Sequence, residues 1–204
     1  MSESAVLILV RHGETSANLD GVWHGSTDTS LTPRGRQQAE RVAGYLRAEQ
    51  PDASALYSSD LQRARHTAEP IANGLGLSLR LDVDLREFDL GGWEGRSFAE
   101  LFEVERFWHH MARDPHYAPH GGESPLQVTQ RITGVLRRIA VAHPGERVIV
   151  VAHGGALSMA LAELVDGHYT QWKRVMDNCA VSELVIEPEP SLLRFNHTEH
   201  LADL

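Results

Sequence analysis

A single cysteine, Cys179, is all the thiol chemistry that this 204-residue chain offers. No intrachain disulfide can form, so the fold must rest on its hydrophobic core, and a reducing compartment suits it. Positive charge is also scarce. Nineteen Lys and Arg face 28 Asp and Glu, giving a formal net charge of −9. Such a surface repels nucleic acid and anionic membranes, so neither is expected as a partner. An anionic substrate would need a local basic pocket. No apolar run approaches the ~18 residues that would span a bilayer. The apolar run near the start has no basic residues before it and no small-residue cleavage pattern after it, so it does not read as a signal peptide. A cytoplasmic location is the default expectation. There is no Walker loop and no G-x-G-x-x-G dinucleotide loop. Twelve histidines raise the question of a metal. The densest groups, His109-His110 and His197-Thr-Glu-His200, come with no helical two-His zinc motif and no cysteine cluster, so neither a metal nor a cofactor is expected.

What is present reads as one α/β domain over residues 1–204, without repeats, low-complexity tract or linker. Ala5 to Val10 is a continuous apolar run that stops at Arg11-His12-Gly13, the pattern of a buried central strand. Thr32 as N-cap and Pro33 at the first helical position start a helix, with Ala39, Val42, Ala43 and Leu46 on one face. A short strand near 55–58 leads into a helix at about 60–73, and Leu79 to Leu81 is a weaker strand. Residues 90–122 follow no regular pattern and are rich in Trp, Phe and His. They are expected to form an irregular, lid-like segment. Ser124 and Gln127 have the spacing of a capping box before an amphipathic helix through Val128, Ile132, Val135, Leu136 and Ile139. Arg147 to Ala152 is the second strongly apolar strand, ending at His153-Gly154-Gly155. A helix at about 156–165 and two late strands, near 181–187 and 192–195, follow. Strands alternating with amphipathic helices imply a three-layer α/β/α sandwich with a mostly parallel central sheet, its late strand pair possible in antiparallel order.

Chemistry concentrates where the two most apolar strands end. His12 and His153 each follow such a strand and precede glycine, and ligands of open α/β sheets bind outside the carboxyl ends of the strands. Gly13, Gly154 and Gly155 would allow tight turns and let backbone N–H groups approach an anion. Arg11 adjoins His12, and Arg63 lies early in the helix after the short strand. Two guanidinium groups and two imidazoles around one point would make a pocket for a phosphate dianion in an otherwise acidic protein. Arg65, two residues along the helix from Arg63, points to another face.

The segment Arg11-His12-Gly13-Glu14-Thr15, with Asn18 three residues later, resembles the signature of the histidine phosphatase superfamily, which includes the cofactor-dependent phosphoglycerate mutases. The resemblance continues in order through Leu31-Thr-Pro-Arg-Gly35, Ser58-Ser-Asp-Leu-Gln-Arg63-Ala, Leu85-Arg-Glu87, Gly92-Trp-Glu-Gly95, Gly121-Gly-Glu-Ser124 and Val151-Ala-His153-Gly-Gly155. It covers about residues 5–160. It implies that His12 is the nucleophile that becomes phosphohistidine, with Arg11, Arg63 and His153 completing the phosphate pocket. Asn18 is implied as a further phosphate ligand and Glu87 as the proton donor. Gly154 and His24 complete the expected substrate-binding set. His24 is a departure, because many relatives carry Gln before the glycine of that loop. Glu14 and Glu123 carry the resemblance without an assigned role.

The expected function is hydrolysis of a small phosphorylated metabolite without a metal. A phosphoglycerate mutase is the alternative reading. An inactive phosphate-binding module is a remote one, disfavoured because Arg11, His12, Arg63, Glu87 and His153 are all present. The natural substrate and the oligomeric state stay open, a homodimer included.

Overall fold

The computed structural model describes residues 4–170 and 174–204. Six strands form one sheet: β1 (Val6–Arg11), β2 (Ala53–Ser58), β3 (Leu79–Leu81), β4 (Arg147–Ala152), β5 (Val181–Val185) and β6 (Ser191–His197). Their order is β3-β2-β4-β1-β5-β6. The first four of these are mutually parallel, and β5 is antiparallel to both of its neighbours. The sheet is therefore mixed through its late strands.

The helices are α1 (Ser16–Asp20), α2 (Pro33–Glu49), α3 (Gln62–Leu75), α4 (Phe107–Met111), α5 (Pro125–Ala142) and α6 (Gly154–Asp166). Alternation along β1 and β4 decides which helices cover which face. Leu7, Leu9, Val148 and Val150 pack with Ile132, Val135 and Leu136 of α5 and with Leu157 and Leu161 of α6. Ile8, Val10, Ile149 and Val151 point the other way, onto Val42 and Leu46 of α2 and Ala64, Ala68 and Ile71 of α3. Both central strands are apolar on both faces because both faces are covered.

The helix starts at Thr32 and Ser124 follow the sequence signals. Thr32 accepts from the Gly35 N–H, and Ser124 and Gln127 form the reciprocal capping box. Two stretches differ from expectation. The segment between β1 and α2 is rich in Gly, Asp, Ser and Thr, the composition of a loop, yet Thr15 and Asn18 form a second capping box that starts the one-turn α1, and Gly21 ends it in the left-handed conformation. Five residues are too few to show an apolar period. Residues 90–122 read as irregular, but they contain α4 and a π-helical turn, Glu100–Val104. They bury Leu90, Leu101, Phe107 and Met111 with Phe88, Trp23 and Val128 in a third apolar cluster. Short turns of differing period hide such a core from any single-period reading.

Among the described residues no helix is long and apolar enough to cross a membrane.

Candidate active site

The register of β1 against β4 pairs Arg11 with Ala152, so His12 and His153 leave the sheet side by side. Their ring centroids are 5.1 Å apart and both side chains are buried. His12 Nδ1 lies 2.7 Å from the Gly13 carbonyl oxygen. A carbonyl only accepts, so Nδ1 carries the proton and Nε2 presents a lone pair. On His153 the tautomer is reversed. Arg63 Nε donates to His153 Nδ1 at 3.2 Å, so the proton sits on Nε2. That buried Nε2 has no partner among the described residues. One imidazole thus presents a free ring lone pair and its neighbour a ring N–H.

Electrostatics agree with these states. Burial, then the cations of Arg63 and Arg11, hold His12 well below the usual imidazole range. Burial and Arg63 do the same to His153. Burial also lowers the Arg11 and Arg63 guanidinium groups from their ordinary value, with the Glu87 carboxylate opposing it.

The two arginines are held differently from each other. Arg11 Nη1 donates to the Met176 carbonyl at 2.6 Å, and its buried Nε has no partner among the described residues. The side chain runs across Gly154, where an added Cβ would sit 3.0 Å from Arg11 Nε. Arg63 reaches the loop after α1 instead. Its Nη1 donates to Thr27 O at 2.9 Å, and Nη2 to His24 O at 3.0 Å and Gly25 O at 2.7 Å. With Nε on His153, one Nη1 hydrogen remains, which is less than a bidentate grip on phosphate requires. Arg63 therefore builds the pocket as much as it lines it.

Glu87 lies at the α6 N-terminus. Oε1 accepts from Phe88 N at 2.8 Å and Ala156 N at 2.6 Å, and Oε2 accepts from Gly155 N at 2.8 Å. Oε2, with a single donor, keeps a lone pair. Asn18 Oδ1 is occupied by Thr15 N at 3.1 Å and by Asn178 Nδ2 at 3.2 Å, which leaves its NH2 for a ligand. Gly13 has a different reason from the one its sequence context suggests. Its N–H donates to Thr67 Oγ1 at 3.0 Å and so does not face an anion. A Cβ there would lie 2.5 Å from Gly35 O, so glycine is required by that approach.

Arg11, His12, Asn18, His24, Arg63, Glu87 and Gly154 line one cavity of about 200 Å³, while His153 is wholly buried behind His12 and is not in its lining. Sequence reasoning placed Phe98 and Trp108 in the lid-like segment 90–122 but missed the rest of the outer wall, Val22, Trp23 and Val175. It also missed Asn178, whose Nδ2 donates to His12 O at 2.9 Å. Neither has a local signal, since the contacts are made by chain segments far apart. Of the dense histidine groups, His200 stacks on Tyr45 and His197 lies tilted against the same ring, and neither lines the cavity.

The family model of the histidine phosphatase superfamily (branch 1) matches residues 7–198. Phosphoglycerate mutase-like protein 4 of Arabidopsis thaliana is 43% identical over 157 residues, covering 75% of this chain and 68% of its own. The glucosyl-3-phosphoglycerate phosphatase of Mycobacterium tuberculosis is 33% identical over 190 residues, covering 87% and 84%. Among solved structures, phosphoserine phosphatase of Entamoeba histolytica in complex with 3-phosphoglyceric acid superposes with a TM-score of 0.84 at 30% identity. That match covers 97% of this chain and 99% of the other.

Proposed function

The chain belongs to branch 1 of the histidine phosphatase superfamily, and we propose that it hydrolyses small phosphomonoesters through a phosphohistidine at His12. The observation that carries this reading is the tautomer of His12, whose Nδ1–H is bound to the Gly13 carbonyl while Nε2 is free to attack. The Nε2 lone pair forms a bond to phosphorus as the bond from phosphorus to the ester oxygen breaks. The departing alkoxide takes the proton held on Glu87 Oε2 and leaves as an alcohol. Water then attacks phosphorus, gives its proton to Glu87, and the P–N bond breaks to restore neutral His12 and release inorganic phosphate. His153 Nε2–H, Arg11 and the Asn18 amide stabilise the equatorial oxygens.

Relatives named for glucosyl-3-phosphoglycerate and for phosphoserine support a small phosphorylated metabolite as substrate. Residues 90–122 serve as a lid over it, as one domain with the rest of the chain. Hydrolysis is favoured over mutase chemistry by the character of that lid. A mutase must hold a doubly phosphorylated intermediate, which calls for extra cations at the mouth. Here Phe98 and Trp108 line the mouth, and Arg96 is paired with Glu105 at 2.7 Å and with Glu100 at 3.4 Å. The test is phosphate release from a panel of monoesters in chelator, beside isomerisation of 3-phosphoglycerate with a trace of 2,3-bisphosphoglycerate. Phosphate release should persist and be the faster process. Faster isomerisation, or a loss of activity restored by Zn²⁺ or Mg²⁺, would overturn this reading.

A further inference from the structure

The Gly121-Gly-Glu-Ser124 motif lies outside the cavity, yet it is built against the segment that carries Glu87. Gly122 lies so close to it that an added Cβ would sit 2.2 Å from Asp89 O. Glu123 N donates to Asp89 O at 2.9 Å, and Asp89 N donates to Glu123 Oε2 at 3.1 Å. The Glu123 carboxylate then takes a two-pronged grip from Arg131 of α5, with Nε to Oε1 and Nη2 to Oε2, both at 2.6 Å.

Arg131 has five N–H groups, and each has an acceptor. Two bind Glu123. The other three go to backbone carbonyls of the Glu87 segment: Nη1 to Asp84 O at 2.9 Å and Arg86 O at 2.8 Å, and Nη2 to Glu87 O at 3.1 Å. A guanidinium group with every donor used is a rigid fork. The carbonyl of Glu87 itself is one of its ligands. On the other side, Leu85 and Phe88 are wholly buried, so the segment is fixed by packing and by this hub together.

We propose that Glu123 and Arg131 are positioning residues for the proton transfer at Glu87, setting where its carboxyl group sits relative to the ester oxygen. The inference rests on the reading of Glu87 as the acid. Displacement of a general acid by a fraction of an ångström weakens protonation of the leaving group while leaving attack by His12 in place. Poor leaving groups, which need that proton, should suffer. p-Nitrophenolate, which scarcely needs it, should not.

The experiment compares kcat/KM for an alkyl phosphate and for p-nitrophenyl phosphate in wild type, Glu87→Gln, Arg131→Lys and Glu123→Gln. Arg131→Lys keeps the charge but cannot supply five directed donors, and Glu123→Gln breaks the grip while keeping size. Thermal melts identify any variant that fails to fold, and Glu123→Asp then takes its place. Glu87→Gln should lose roughly 10²–10⁴-fold on the alkyl ester and far less on p-nitrophenyl phosphate. The hub variants should shift the ratio of the two substrates in the same direction, by at least ~10-fold. A selective loss in Glu87→Gln with equal losses on both substrates in the hub variants overturns this inference alone. Equal losses in Glu87→Gln overturn the assignment of the acid, and this inference with it.

Discussion

Arg63 Nε donates to His153 Nδ1 at 3.2 Å, and this one bond puts the ring proton of His153 on Nε2. The same guanidinium holds three carbonyls of the loop from His24 to Thr27. Asp28, just beyond, accepts the Gln62 N–H at 2.8 Å and serves the α3 N-terminus that Leu61 leaves without a side-chain cap. Tautomer, loop and helix start are thus tied to one nearly fully buried side chain.

Arg63→Lys is expected to lower both stability and activity. One ammonium group cannot satisfy an imidazole and three carbonyls, and each buried acceptor left alone costs about 1–3 kcal/mol. Urea unfolding should show a loss of at least ~2 kcal/mol, with kcat/KM down by about tenfold or more. Wild-type stability in Arg63→Lys would show that the loop is held by something else.

Gly155→Ala should impair catalysis more than folding. An added Cβ would sit 2.7 Å from Glu87 Oε1 and 2.9 Å from Trp23. Helix propensity favours alanine over glycine, so α6 itself gains slightly. The expected outcome is an unchanged circular dichroism spectrum with kcat on alkyl phosphates reduced by roughly 10²-fold, the scale of lost acid catalysis. Full activity would mean that the Glu87 carboxyl does not need its present place.

Stability should fall as the solution is acidified below neutrality. In the unfolded chain His12 and His153 titrate at the ordinary value of 6.5, while in the folded chain burial and Arg63 hold both well below it. Between those values the unfolded state binds more protons, so this pair destabilises the fold as pH drops below 6.5 and has no effect above it. Each group contributes up to about 1.4 kcal/mol per pH unit. Unfolding free energies measured from pH 7 to pH 5 should decline, and His12→Gln should make the decline shallower. Identical slopes in both proteins would show that His12 does not remain neutral in the fold.

Much of this site was legible before any coordinates. The apolar runs ending at Arg11 and Ala152 placed His12 and His153 at one sheet edge, because a strand covered on both faces has an unmistakable composition. Arg63 stood out by its place early in the helix after the short strand, and the family resemblance supplied Asn18 and Glu87. Less legible was what those residues do to one another. Nothing local in Arg63 shows that its fork would go to loop carbonyls 36 to 39 residues earlier in the chain. Residues 90–122 look irregular in sequence because their buried Leu101, Phe107 and Met111 sit on short turns of unlike period. Val22, Trp23 and Val175 join Phe98 and Trp108 in the outer wall from distant segments, which leaves no trace in a window of sequence.

The central claim is a covalent bond between phosphorus and His12. Rapid quenching of the enzyme with ³²P-labelled monoester, followed by peptide mapping, reads it directly. Wild-type protein should yield an acid-labile, base-stable phosphopeptide containing His12, formed no more slowly than turnover. His12→Ala should fold, yield no labelled peptide and lack turnover. Label on another residue, or near wild-type turnover in His12→Ala, would contradict the account.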